Sequence, residues 1–242
     1  MNQLKQYLNV YEFEEELPGT KQTVKYKGLT TNSMKQLMVH KDVDDPLEEE
    51  ELLDKIINIS LIDKVNIDDM YVSDRYFLFI KIREATKGKY FKFQHECKKC
   101  KSQSLQSIDI NELIINKPEN IDKQIKVLQD KIEFDMDFPL RKTQKIIFNT
   151  IDKKLSSEEK RIELGLADIA SHITKIKTPE GEMEINYKEL IDFIGDLPEQ
   201  ELDVFNNWRE ENGFSLKLVH NIKCRSCGEE EDIQLPLSDF FS

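Results

Sequence analysis

The residues with the clearest chemistry in this sequence are its four cysteines, which form two CxxC pairs, Cys97/Cys100 and Cys224/Cys227. A two-residue gap lets the chain turn tightly and direct two thiolates toward one ion, and two such turns supply the four tetrahedral ligands of a closed structural zinc site. Four sulfurs leave no open coordination position for a substrate, so a metal here would be structural rather than catalytic. We therefore predict one zinc ion bound by Cys97, Cys100, Cys224 and Cys227.

Other residues near the two pairs allow alternative interpretations. His95 and His220 are nearby candidate ligands, although four sulfurs already complete a tetrahedral shell. The pairs are also flanked by five cations, Lys98, Lys99, Lys101, Lys223 and Arg225. These cations either offset the negative charge of four thiolates or contact nucleic acid, as zinc ribbons do in the transcription machinery. The formal net charge of −12 favours the first interpretation, because affinity for phosphate backbones requires clustered Lys and Arg.

Composition limits the remaining classes of function. Acidic residues outnumber basic ones 47 to 35 among the 242 residues, and hydrophobic residues make up 38%. The sequence contains no apolar run of about 18 residues that would span a membrane, and it shows no signal peptide. We therefore expect the chain to stay in the cytosol. In that compartment CxxC pairs bind metal rather than form disulfides. The four histidines lie outside nucleophile and metalloprotease motifs, and the eight scattered glycines form no phosphate loop. We therefore predict that the chain is not an enzyme and takes no small-molecule substrate.

The spacing of the cysteine pairs sets the predicted organisation of the chain. Alternating apolar residues lead into and out of each pair, as in the hairpins of a zinc ribbon. The 123 residues from 101 to 223 must leave the metal site and return to it. We predict an α+β protein with a discontinuous, zinc-ribbon-like core from residues 1–110 and 214–242. Residues 111–213 would form a mixed, mainly helical insert.

Several local signals predict where elements begin and end. Ser73 is a predicted N-cap for a helix that ends before Gly88, and Thr31 or Asn32 is the predicted cap of a shorter helix. Ser156 to Glu159 fits a capping box, whereas residues 125–138 resemble one extended segment closed by Pro139. Two features stay open between alternatives. The acidic stretch at 42–51 is a docking site or a solvated linker that starts a helix, and the Phe240–Phe241 tail docks into a neighbour or packs on its own domain.

The order of motifs along the chain resembles the baseplate proteins of T4-like contractile-tailed phages, a group that includes baseplate hub and hub-assembly subunits. The motifs are Leu17-Pro18, Asp74-Arg75, Ile82-Arg83, Gly88, Tyr90, the two cysteine pairs and the tail 235–241. The resemblance covers residues 17–110 and 214–241, and it departs from the family where Gly19-Thr20 directly follows Leu-Pro.

This resemblance implies a structural or assembly subunit of the phage tail, with other baseplate and tail proteins as its partners. It carries over no catalytic residue. The implied location is the virion tail, after assembly in the host cytoplasm. The alternative from a different class is a zinc-ribbon nucleic-acid-binding or transcription-associated protein.

Overall fold

A computed structural model describes residues 11–38, 45–152, 154–235 and 237–241. These residues form a mixed α and β fold with small antiparallel sheets. The α-helices are α1 (Thr31–Met38), α2 (Pro46–Ser60), α3 (Val72–Lys87), α4 (Arg141–Phe148), α5 (Ser157–Ser171), α6 (Tyr187–Gly195) and α7 (Glu199–Asn212). The strands are β1 (Glu12–Glu16), β2 (Thr23–Lys27), β3 (Tyr90–Glu96), β4 (Gln103–Asp109), β5 (Gln124–Val127), β6 (Ile132–Met136), β7 (Ile173–Thr178), β8 (Gly181–Met183), β9 (Val219–Lys223) and β10 (Glu230–Gln234).

Each strand pairs with the strand that comes next or directly before it along the chain. Three hairpins, β1–β2, β3–β4 and β9–β10, are separate two-stranded sheets, and the four strands of the insert form one sheet in the order β5-β6-β7-β8. The hairpins β3–β4 and β9–β10 carry the two cysteine pairs at their turns. The predicted alternation around each pair therefore corresponds to a real hairpin in both cases.

Helix ends follow local signals where a side chain supplies the cap. The predicted capping box is present, with Ser156 and Glu159 bonded reciprocally at the start of α5. Asp45 caps α2, because its side chain accepts a hydrogen bond from the Leu47 amide. Part of the acidic stretch therefore begins a helix. Residues 42–44 lie outside the described residues. The predicted N-cap of α1, Thr31 or Asn32, was wrong. The hydroxyl of the preceding residue, Thr30, accepts a hydrogen bond from the Ser33 amide instead.

Two other local predictions were wrong, one because of a long-range hydrogen bond and one because of an unmarked turn. Helix α3 begins at Val72 without a side-chain cap, since the Val72 amide donates to the Pro139 carbonyl at 3.0 Å and Ser73 lies inside the first turn. Residues 125–138 form two strands rather than one. The turn between them places Leu128, Gln129 and Asp130 at positive φ values of 54–61°. None of the three is a glycine, and Asp130 is the single residue among them of a type that favours turns, so the sequence signal for this reversal is weak.

The apolar side chains form two clusters. The first combines residues between 17 and 113 with Leu235, Phe240 and Phe241 near the C-terminus. The second lies between Ile125 and Phe214. In the first cluster, the Phe240 ring stacks on that of Phe91 with centroids 4.8 Å apart and planes 3° apart. The aromatic tail therefore packs on its own chain, which decides between the two alternatives left open by the sequence.

The chain crosses between the two clusters through a pair of adjacent segments. The Lys217 amide donates to the Leu113 carbonyl at 2.7 Å, and the Ile115 amide donates to the Ser215 carbonyl at 2.9 Å. These bonds join the segment that leaves the first cluster to the segment that returns to it. Among the described residues, no helix is long and apolar enough to cross a membrane.

Candidate metal centre and the buried charge cluster

The two cysteine turns have the same backbone geometry. In the first, the Lys101 amide donates to the Cys97 carbonyl at 3.0 Å, and in the second the Gly228 amide donates to the Cys224 carbonyl at 2.9 Å. The residue four positions after the first cysteine has a positive φ in both turns, 59° at Lys101 and 74° at Gly228. Glycine adopts this conformation without strain, so Gly228 was a recognisable signal and Lys101 was not.

The fold brings the four predicted ligand residues together. The sulfurs of Cys97, Cys100, Cys224 and Cys227 all lie within 4.8 Å of one another. The Sγ atoms of Cys97 and Cys227 are 3.7 Å apart, as are those of Cys100 and Cys224. Four sulfurs at about 2.3 Å from a central zinc would be about 3.8 Å apart along each tetrahedral edge. The spacing is therefore compatible with a zinc ion at the centre.

Residues around the sulfurs include two that the sequence did not single out. The Ser102 hydroxyl lies 3.1 Å from Cys100 Sγ and 3.4 Å from Cys224 Sγ. Its hydrogen bond, with those of nearby backbone amides, lowers the pKa of the Cys224 thiol to about 6. Glu231 of β10 contacts the first cysteine turn, and its Oε2 lies 3.8 Å from Nε2 of His95. Ser102 follows Cys100 by two residues, whereas Glu231 reaches the first turn only because the two hairpins pack together.

Three of the five cations near the cysteines pair with neighbouring carboxylates. Lys99 pairs with Glu229 at 2.7 Å, Lys223 pairs with Glu230 at 2.9 Å, and Lys101 lies 3.9 Å from a Glu96 oxygen. A surface that attracts phosphate backbones needs cations that are clustered and free of such partners.

A second cluster joins the Leu-Pro turn to α3. The Gly19 and Thr20 amides donate to the two carboxylate oxygens of Asp74 at 2.6 and 2.9 Å. Burial raises the pKa of Asp74, and these hydrogen bonds oppose the shift. A Cβ on Gly19 would lie 2.6 Å from Tyr71 Cδ2 and 2.7 Å from Phe214 Cζ. Only glycine fits this turn without displacing an aromatic ring.

An aromatic cage lies beside this turn. Its walls are the rings of Tyr71, Phe138 and Phe214, and the Lys117 ammonium is 5.3–5.5 Å from all three ring centroids. Lys117 belongs to the segment that enters the insert, while Tyr71 precedes α3. All three rings belong to the second hydrophobic cluster, so the cation–π contacts hold the connecting segment against that cluster.

Arg75 is the centre of a buried ion cluster. Its side chain has no exposed surface, and its guanidinium contacts Asp54 Oδ1 at 2.5 Å and Glu50 Oε2 at 3.0 Å. Arg141 of α4, also buried, binds the other oxygen of Asp54 at 2.9 Å and the Gln144 amide oxygen at 2.6 Å. Asp54 therefore bridges α3 of the first cluster to α4 of the second. The cluster balances two arginines against two carboxylates, as burial of charge requires.

A cleft of about 930 Å³ opens next to this ion cluster. It is lined by elements of both hydrophobic clusters, including α2, α3, α4, α5 and α7. Its apolar lining includes Phe138, Phe148 and Phe214, and its polar lining includes Asp203 and Glu210 of α7. The cleft lies where the two hydrophobic clusters meet, and no motif in the sequence marks it.

The motifs that carry the family resemblance therefore have structural roles. Leu-Pro leads into the turn bound by Asp74, and Arg75 neutralises the carboxylates of α2. Arg83 donates to the carbonyls of Gly88 and Tyr90, at 2.5 and 3.2 Å, and so ties the end of α3 to the start of β3.

Comparison with known proteins gives one match. One family model, described as T4 bacteriophage base plate protein, matches residues 8–242. No curated protein and no solved structure matches the chain. The match includes both cysteine pairs, the Asp74-Arg75 cluster and the whole insert. The chain belongs to the family of T4 bacteriophage base plate proteins.

Proposed function

We propose that this chain is a structural or assembly subunit of the hub region of a phage contractile-tail baseplate, stabilised by one structural zinc. The observation that carries the proposal is the family match across residues 8–242. A base plate protein acts through contacts with other phage proteins, so its partners are neighbouring baseplate and tail subunits. We place it in the virion tail, after assembly in the host cytoplasm, in a role that needs no catalytic residue.

The zinc part of the proposal rests on the sulfur geometry. A bound metal ion would hold all four cysteines as thiolates, and its charge would offset the repulsion among sulfurs that lie within 4.8 Å of one another. Cys97, Cys100, Cys224 and Cys227 would hold the ion as a closed four-cysteine site that staples the β3–β4 hairpin to the β9–β10 hairpin. Zinc binding in small finger peptides is worth about 10–16 kcal/mol, which exceeds the few kcal/mol needed to close a loop of this length.

We also propose the domain division stated from the sequence: a zinc-ribbon-like core from residues 1–110 and 214–242, with residues 111–213 as an insert. The two hydrophobic clusters support it, since the first draws on both ends of the chain and the second on the insert. The division is not sharp at the junction. Leu113 packs in the first cluster and Phe214 in the second.

The base plate role is tested in the phage that encodes the chain. A premature stop codon in the gene should yield heads without functional tails, seen by electron microscopy, and complementation with the intact gene should restore them. Mass spectrometry of purified tails then separates a structural subunit, which is retained, from an assembly factor, which is not. Normal infectious tails from the stop-codon phage would refute the role.

The metal is tested on the purified protein. Elemental analysis should give about one zinc per chain, and Cys224→Ser should lose it, whereas Ser226→Ala in the same turn should keep it. A folded, zinc-free protein isolated without chelators would refute the zinc site. DNA and RNA binding at moderate salt tests the nucleic-acid alternative, for which tight, salt-sensitive binding is expected.

A further inference from the structure

We propose that Glu231 holds the two cysteine turns together independently of the metal and so positions the four sulfurs before zinc binds. The inference rests on the proposed zinc site, because it assigns a positioning residue to it. Glu231 belongs to β10 in the second hairpin, yet its carboxylate binds the first. The Lys98 amide, in the Cys97–Cys100 turn, donates to Glu231 Oε1 at 2.8 Å.

The burial of the Glu231 side chain distinguishes this contact from the Lys99–Glu229 ion pair, which also joins the two hairpins. The Glu231 side chain is 8% exposed. In the Lys99–Glu229 pair the side chains are 63% and 40% exposed. Exposed ion pairs contribute little, because water screens them and both side chains lose freedom. Glu231 instead offers a charged acceptor on a largely buried side chain, and hydrogen bonds to charged acceptors are roughly twice as strong as neutral ones.

The second oxygen of Glu231 is also directed into the site. Among the described residues, Oε2 is buried without a hydrogen-bond partner and lies 3.8 Å from Nε2 of His95. The Glu231 carboxylate also interacts with the Cys97 thiol. His95 precedes Cys97 on β3, so both oxygens of Glu231 face the first hairpin. A carboxylate in this position fixes the orientation of its neighbours, as hydrogen-bond partners of metal ligands commonly do.

Strand β10 supplies a matched control. Glu230 is the adjacent residue, is exposed, and pairs with Lys223 inside its own hairpin at 2.9 Å. Because successive side chains of a strand point to opposite faces, Glu230 does not reach the first cysteine turn. Removing Glu230 changes the charge of the strand by the same amount as removing Glu231.

The test measures zinc affinity by competition with a chromophoric chelator, using Zn²⁺ alone as the probe. Glu231→Ala should weaken affinity by about 10–100-fold, the usual cost of losing a partner of a metal site. Glu231→Gln should recover most of the affinity, because its amide oxygen accepts the same bond from Lys98, and Glu230→Ala should leave it unchanged. Wild-type affinity in Glu231→Ala, or no recovery in Glu231→Gln, would overturn the proposal.

A second measurement separates this proposal from the zinc site itself. In metal-free protein, hydrogen exchange of the Lys98 amide should be slow in the wild type and in Glu231→Gln and fast in Glu231→Ala. If the wild type binds no zinc, the metal centre is refuted, while Lys98 exchange still decides whether Glu231 joins the turns. Equal Lys98 exchange in all three proteins would overturn the role of Glu231.

Discussion

Replacing Arg75 with methionine tests whether the buried ion cluster holds the two hydrophobic clusters together. Arg75 is fully buried, and the side chains of its partners Glu50 and Asp54 are 15% and 13% exposed. Without Arg75 these two carboxylates share Arg141 and the Lys145 ammonium, which lies 3.5 Å from Asp54. Removing one member of a buried pair costs about 3–5 kcal/mol, because the remaining charge loses both water and its partner.

The assay is urea denaturation of the wild type and of Arg75→Met. The free energy of unfolding should fall by about 3–5 kcal/mol, which for a chain of this size lowers the melting temperature by roughly 6–20 °C. The control is Lys142→Met, which breaks the exposed Lys142–Asp69 pair and should cost at most about 1 kcal/mol.

A double variant tests the physical cause. Glu50→Gln removes one negative charge but keeps an oxygen for the Tyr76 hydroxyl, which donates to Glu50 Oε1. Arg75→Met combined with Glu50→Gln should therefore be more stable than Arg75→Met alone. Two results would contradict this explanation: Arg75→Met is no less stable than Lys142→Met, or adding Glu50→Gln destabilises Arg75→Met further. In either case, uncompensated buried charge does not explain the stability of the cluster.

Three further perturbations test other parts of the fold. Gly19→Ala should destabilise by about 1–3 kcal/mol in urea denaturation, because its Cβ would overlap two aromatic rings, whereas Gly165→Ala on α5, with open space around it, should not destabilise. Phe240→Ala should cost about 3–5 kcal/mol, since that ring is fully buried; a loss near zero would mean that the tail does not pack on its own domain. Burial lowers the pKa of His172 in the folded chain. As the pH falls below about 6.5, His172 is therefore protonated in the unfolded chain before it is protonated in the folded chain. The free energy of unfolding decreases in this range by at most about 1.4 kcal/mol per pH unit. His172→Gln should show a shallower decline between pH 6.5 and 5 than the wild type, and identical slopes would contradict this assignment.

Local sequence signals determined a large share of the elements. The CxxC spacing identified the two hairpin turns, and the capping box located the start of α5 at Ser156. Gly88, at φ +83°, ends α3 as predicted from its type. Such signals are informative because each acts over only a few residues. Examples are a side-chain cap, a residue type that restricts or permits a given φ, and the alternation of side chains along a strand. The mixture of α and β elements followed from them, while the zinc ion and the domain division remain proposals.

The tertiary structure decided whatever depends on residues far apart in the sequence. The start of α3 is set by the hydrogen bond from the Val72 amide to the Pro139 carbonyl. The contact between Glu231 and the Lys98 amide joins residues 133 positions apart, and Arg75 neutralises carboxylates of another helix. Spacing placed two cysteines in each turn, but only packing could bring the two turns within reach of one ion. Sequence alone therefore identified the four sulfurs, and the fold decided what surrounds them.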